Sequence, residues 1–212
     1  MAEASRFAKS LRSPFQWIMA GLILLSLVII MVGPMIGGRP HPHSSPALQA
    51  TQAINLAMYM YAGDHNNAYP IGKSSTEVFQ KLVDEEYIAD ITIFYVEELK
   101  VPGKTKATSK VLKPENVCFD VTVPLGLNSS DFLPVIFSTG YRIDYTPGGS
   151  AVPLFKASEG SPSGICVAYH DYSVRFQKST EPDGTVTNFI PSDFNPAGKK
   201  YQQLTPDGPL PP

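Results

Sequence analysis

Apolar and polar positions along the chain change period three times, and each change marks an element. Residues 15–36, "FQWIMAGLILLSLVIIMVGPMI", carry no ionisable side chain. About 22 such residues make roughly 33 Å of helix, enough to cross a hydrocarbon core of about 30 Å. From residue 46 apolar positions recur every three or four residues: Ala47, Ala50, Ile54, Ala57 and Tyr61. That is the period of a helix with one buried face. Ser45-Pro46 supplies an N-cap followed by Pro at the first helical position, and Gly63 is placed to end the helix near residue 62. A second helix is predicted by "SSTEVFQKLVDEEYI". There Ser74 and Glu77 have capping-box spacing, and Phe79, Leu82, Val83 and Tyr87 share a face. Asp84, Glu85 and Glu86 fall opposite that face and read as a solvated side.

After residue 90 the period becomes two. Val117, Phe119, Val121 and Val123 line one side of a strand, and Tyr141, Ile143 and Tyr145 alternate with Arg142 and Asp144. "TPGGS" followed by "AVPLF" completes a hairpin. "GICVAYH" is a short continuous apolar run, as expected of a central strand, and "SVRFQKSTEPDGTVTNF" reads as a hairpin turning on Pro182-Asp183-Gly184. Helices first and antiparallel strands after them predict an α+β fold, with a helix packed on one sheet face. The expected organisation is a basic cytoplasmic leader at 1–14, a transmembrane helix at 15–36 and a linker at 37–45. A globular domain at 46–190 and a Pro-rich extended tail at 191–212 follow.

Composition adds limits to this pattern. Arg6, Lys9 and Arg12 precede the apolar run and Trp17 sits at its border. Basic flanks stay on the cytoplasmic side, so the remainder is expected beyond the membrane. A formal net charge of −2 gives no electrostatic reason to expect a nucleic-acid partner. The 20 Pro and 16 Gly argue against a helical bundle. Cys118 and Cys166 both fall on strand-like segments of the translocated part. One structural disulfide and two buried free thiols are both compatible with that placement. "KVPGKTKATSKVLK", residues 100–113, reads as a basic surface loop.

The candidate chemistry is sparse. His41 and His43 stand in the Gly/Pro/Ser-rich linker with nothing nearby to complete a metal site. Asp64-His65-Asn66 opens like a calcium loop, yet Ala68 occupies the third ligand position, and neither the required Gly nor the closing Glu follows. His170-Asp171 ends a predicted strand without a third partner for catalysis. No nucleophile elbow or phosphate-cradling loop occurs. The expectation is therefore a protein with no catalytic, cofactor or metal residues.

The order of segments carries a resemblance. An apolar N-terminal helix leads to "QAINLAMYMYAGDHNNAYP", then to "FQKLVDEEYIADITIFY", then to strands ending "GICVAYHDYSVRF". This resembles the pseudopilins of bacterial type II secretion systems and type IV pilin-like proteins, most of all the major-pseudopilin-like proteins of verrucomicrobia and planctomycetes. In that group the helix commonly ends in a Tyr-x-x-Asp turn closed by Tyr-Pro, here Tyr61, Asp64, Tyr69 and Pro70. The resemblance spans roughly residues 15–178. It implies a pilin-like head and a structural role in a secretion or pilus machine of the inner membrane. Its implied partners are other pseudopilins or copies of the chain itself. Within it "GDHNNAYP" is an architectural corner: Gly63 allows a left-handed exit, Asp64 and Asn66 satisfy freed backbone groups, and Tyr69-Pro70 fixes the return. Two family features are missing. Phe15 follows Ser13-Pro14 where a Gly before the prepilin-peptidase cut is usual, and residues 16–36 contain no acid. The alternative reading is an anchored extracytoplasmic binding or adhesion domain.

Overall fold

The computed structural model describes residues 45–126, 129–155 and 164–210, all within one compact unit. The expected leader, membrane helix and linker up to residue 44 lie outside the described residues. Among the described residues no helix is long and apolar enough to cross a membrane.

Helix α1 spans Pro46–Asp64. Its start is held twice: Ser45 Oγ accepts from Leu48 N at 3.3 Å, and Glu98 Oε1 accepts from Ala47 N at 3.0 Å. Helix α2 spans Ser75–Asp84, with Ser74 Oγ accepting from Glu77 N at 3.2 Å. Glu77 Oε2 in turn accepts from Lys73 N at 2.8 Å, so the reciprocal bond of the capping box reaches one residue further back. The stripe Val78, Phe79, Leu82 and Val83 is buried, while Asp84, Glu85 and Glu86 are exposed as the helix period requires.

Eight strands follow: β1 Phe119–Val123, β2 Pro134–Ser138, β3 Tyr141–Ile143, β4 Ala151–Pro153, β5 Gly164–Tyr169, β6 Val174–Lys178, β7 Gln202–Thr205 and β8 Gly208–Pro209. Six form one sheet in the order β6-β5-β2-β1-β7-β8, and β3 pairs with β4 as a separate ribbon. Every pairing is antiparallel. The fold is thus α+β with the helices segregated to one face of an antiparallel sheet.

Side-chain alternation divides the interior into two cores. Phe119, Val121, Ile136, Cys166, Ala168 and Leu204 face the helices and pack with Ile54, Met58, Phe79 and Leu82. Phe79 stacks on Phe94 at 5.1 Å between ring centroids. The opposite face presents Phe137, Ile165 and Val167, which the β3–β4 ribbon and residues Val186, Phe189 and Ile190 cover. A sheet buried on both faces explains why all six residues of β5 are apolar or small and buried.

Three expectations are corrected. Residues 191–212 are not an extended appendage: β7 pairs with β1 over Val121↔Leu204 to Val123↔Gln202, and Phe194 is buried in the second core. Pro at either end of this segment suggested an open chain, but the intervening "QQLT" has no Pro and completes the sheet. The turn at 182–184 exists, with Gly184 at φ 94°, yet its second limb leaves β6 and bridges Val186 to Ala151 of β4. The third concerns Gly63, which sits inside α1. The left-handed residues are Asn66 (φ 53°) and Asn67 (φ 65°). Asparagine tolerates that region well enough to end a helix there.

Candidate functional site

The corner after α1 is a clasp between two helix ends. His65 N donates to the Tyr61 and Ala62 carbonyls, and Asn67 N donates to Ala62 O at 2.7 Å, satisfying carbonyls that the helix leaves open. The His65 ring stacks on Tyr61 at 3.9 Å, its Nδ1 donates to Tyr61 O at 2.9 Å, and its Nε2 lies 3.1 Å from Glu85 Oε2 at the end of α2. Tyr87 Oη donates to Asp64 Oδ2 at 2.8 Å. That bond to a carboxylate pushes the Tyr87 phenol up to about 12. Five residues from two segments, 61–65 and 85–87, thereby fix the angle at which the chain leaves α1. Tyr61 and Asp64 are held in this clasp and Asn66 takes the left-handed turn beside it, with Asp64 bound to Tyr87 and not to the backbone; Tyr69 and Pro70 follow in the chain, and Gly63 is an exposed helical residue. Glu85 and Tyr87 were not legible as partners, because nothing in their spacing reports a contact across 20 residues.

Tyr69 links the corner to a second aromatic group. Its phenol is raised, first by burial, then by the neighbouring Tyr59, against a hydrogen bond with Tyr172. Tyr59 and Tyr172 meet edge to face at 4.6 Å. Tyr172 adopts φ 65° in the β5–β6 turn, and burial with its two tyrosine neighbours pushes its phenol up to about 12. The group continues onto the outward side of α1, where Gln49, Gln52, Ala53, Leu56, Tyr59, Met60 and Gly63 are exposed. No residue of α1 before Asp64 is charged. An uncharged helix that exposes Leu56, Tyr59 and Met60 on its outward side is ordinarily covered there by something.

His170 and Asp171 do not form a pair. Asp171 Oδ1 accepts from Ser173 N at 2.9 Å and Ser173 Oγ at 2.6 Å, closing its own turn. The half-buried His170 lies 6.2 Å from Tyr69, with its Nε2 buried and without a hydrogen-bond partner. Burial lowers its pKa, against the pull of Asp131. Among the described residues no three His, Cys, Asp or Glu side chains converge as metal ligands. His41 and His43 lie outside the described residues.

The two cysteines are separate buried thiols. Strand β2 runs between them: Phe119 pairs with Ser138 on one side, and Cys166 N donates to Ser138 Oγ on the other. Two strand spacings put the Cα atoms roughly 10 Å apart, beyond the ~7 Å reach of a disulfide. Burial raises both thiols, Cys166 to about 12. The disulfide reading is therefore replaced by that of two small core residues.

One buried acid escaped the sequence reading. Asp120, in the middle of β1, is fully buried on the ribbon side of the sheet. Its Oδ2 accepts from Gln203 Nε2 at 2.6 Å, while Oδ1 has no hydrogen-bond partner. Gln203 also donates to Tyr141 O at 2.6 Å and accepts from Ile143 N at 3.1 Å, tying the ribbon to the sheet. Burial pushes the carboxyl up to about 7, against the Gln203 hydrogen bond and the polar Thr139 side chain nearby. "FDVTV" alternates apolar with polar residues, a pattern that carries no sign of a second layer over Asp120 and Thr122. Only the ribbon, invisible in that pattern, buries them.

No family model, curated protein or solved structure matches the chain.

Proposed function

We propose that the protein is a membrane-anchored, pseudopilin-like structural component of a type II secretion or type IV pilus-like system of the bacterial inner membrane. In this reading residues 15–36 anchor it with the N-terminus in the cytoplasm, and the head lies on the far side. The observation that carries the reading is the outward side of α1, uncharged from Pro46 to Gly63 and studded with Leu56, Tyr59 and Met60. A solvated helix would place charges there; a subunit packed by its helix would not. The clasp at His65, Glu85, Tyr87 and Asp64 supports it too, because a helical spine transmits load to a head only if the corner is fixed.

The test is isolation of the full chain from its own membranes in mild detergent. Co-purification with other pilin-like subunits is expected, and loss of that association in Leu56→Lys/Met60→Lys with an unchanged circular dichroism spectrum. A stable monomer without such partners overturns the reading.

A second reading, an anchored binding or adhesion domain, draws support from exposed Tyr172 and Phe176 on the β5–β6 hairpin and from Val152, Leu154 and Phe155 near β4. Exposed aromatics on hairpins are the usual contact residues of recognition surfaces.

A further inference from the structure

Strand β6 is one edge of the six-stranded sheet, and no described strand pairs with its outer side. Its pairing with β5 is regular over all five residues, Gly164↔Lys178 through Ala168↔Val174. Tyr169 N donates to Ser173 O at 2.9 Å, which makes that pair hydrogen-bonded. Hydrogen-bonded and non-bonded pairs alternate in an antiparallel ladder. Arg175 and Gln177 therefore bond to β5, and Val174, Phe176 and Lys178 turn their N–H and C=O groups outward. The strand contains no Pro and the pairing no bulge, two of the devices that blunt a free edge.

The side chains on this edge are as telling as the backbone. Val174, Phe176 and Lys178 lie on the helix side of the sheet, opposite Ala168, Cys166 and Gly164. Phe176 lies against Gly164, where a Cβ would meet its ring at 2.7 Å. Phe176 shares that side of the molecule with Leu56, Tyr59, Met60 and Tyr172, each of the five between 39% and 55% exposed. Half-exposed residues of this size add up to about 500 Å², at the upper end of what a monomer displays. Residues 172–180 contain no acid. Arg175 does not call for an acidic partner, since its guanidinium is seated 5.5 Å over the Tyr169 ring.

We infer that β6 is a homodimer edge, pairing antiparallel with β6 of a second copy about a two-fold axis at Phe176. The strand is complementary to itself in that register. Phe176 meets Phe176 of the other copy, Val174 lies beneath the aliphatic stem of Lys178, and Arg175 faces Gln177. No like charges sit directly opposite, and an aromatic pair at the centre is among the favourable cross-strand contacts. About six backbone hydrogen bonds join the sheets, and the same-patch contact closes on itself as a two-fold interface does. An interface built on one five-residue strand per partner falls well below the ~800 Å² a side of a standard interface, so the dimer is expected to dissociate in the micromolar range or more readily. This pairing does not depend on the pseudopilin reading.

The experiment is oxidative cross-linking of the full chain in native membranes, with copper–phenanthroline and single added cysteines. Cys118 and Cys166 are buried and stay in place. In a hydrogen-bonded antiparallel pair the central Cα atoms are ~5.5 Å apart, within disulfide range. Phe176→Cys is expected to give reducible dimer at about ten times the yield of Val152→Cys, an exposed control on β4. Leu56→Cys reports helix contact separately. Cross-linking at 56 without cross-linking at 176 overturns the strand pairing and leaves the helix reading standing. Yield at 176 equal to the control, or capture there of a different protein, overturns the proposal. As a second measurement, Phe176→Lys places two like charges at the dyad. It is expected to abolish co-purification of two differently tagged copies with no change in circular dichroism, and persistence of the pair overturns the proposal.

Discussion

Asp120 gives the fold a stability that should fall as pH rises, the reverse of the usual carboxylate behaviour. In the unfolded chain the carboxyl titrates near its ordinary value of 3.8; in the fold burial pushes it up to about 7. Between these values the folded state holds a proton that the unfolded state has released, so stability drops with each unit of pH. The contribution is fully present below 3.8 and is lost as pH climbs through 7. Integrated from pH 5 to pH 8 the loss is on the order of 2–3 kcal/mol, equivalent to roughly 5–10 °C in Tm for a domain of this size. His170 acts in the opposite sense: its folded pKa is lowered, so its contribution grows as pH rises through the same range. Comparison with Asp120→Asn removes that background, because the amide keeps the acceptor for Gln203 Nε2 and cannot ionise. The assay is thermal denaturation of the full chain in mild detergent, followed by circular dichroism at pH 5, 6, 7 and 8. The expected result is a steep wild-type decline relative to the variant, with Asp120→Asn the more stable protein at pH 8. Parallel curves for the two proteins would falsify the assignment of a proton to buried Asp120.

Three further outcomes follow from the packing. Gly63→Ala should raise stability by about 0.5–1 kcal/mol in the same melts, since the position is helical, exposed and has nothing within 4 Å of a new Cβ. Leu82→Ala should cost about 2–5 kcal/mol, as Leu82 is fully buried against the sheet, whereas Glu85→Gln should cost under about 1 kcal/mol because the His65–Glu85 contact is more than a third exposed. Truncation after residue 190 should leave no cooperative melt. It strips β7 from β1 and takes Gln203 from Asp120, so a sharp transition in the truncated protein would refute the placement of the C-terminal strands.

Periodicity made the helices and most of the strands legible because each buries its own face locally. Ala47, Ala50, Ile54 and Ala57 are all buried, and Phe119 and Val121 of β1 enter the helix-side core as their spacing required, although Asp120 and Thr122 between them are buried as well. What stayed hidden depends on contacts far apart in the chain. Gln203 reaches Asp120 across 83 residues, and Glu98 caps Ala47 across 51. Gly63 looked like the helix terminator because Gly is the commonest left-handed residue, yet Asn66 and Asn67 take that conformation and extend α1 by two residues. The cysteines were recognised as strand residues, but their neighbours across the sheet depend on strand order, which periodicity does not encode.

The same distinction bears on what the molecule presents outward. A residue buried within the chain has its partner in the fold: Met58 and Ile54 face the sheet, and their neighbours on α1 turn away. Leu56 and Met60 are as apolar as Ile54, although they occupy the opposite side of the helix. Were α1 only a support for the sheet, those positions would tolerate Lys or Glu, which favour helix and solubility alike. Their apolar character matches the exposed ring of Phe176 on β6, and Tyr172, set in a left-handed conformation, meets the helix through Tyr59. An aromatic residue at φ 65° costs stability, and in the fold it returns a half-exposed ring contact with Tyr59 and a hydrogen bond with Tyr69. The side of the head bearing α1 and β6 is therefore the one on which covering by another chain offsets the greatest exposed apolar surface.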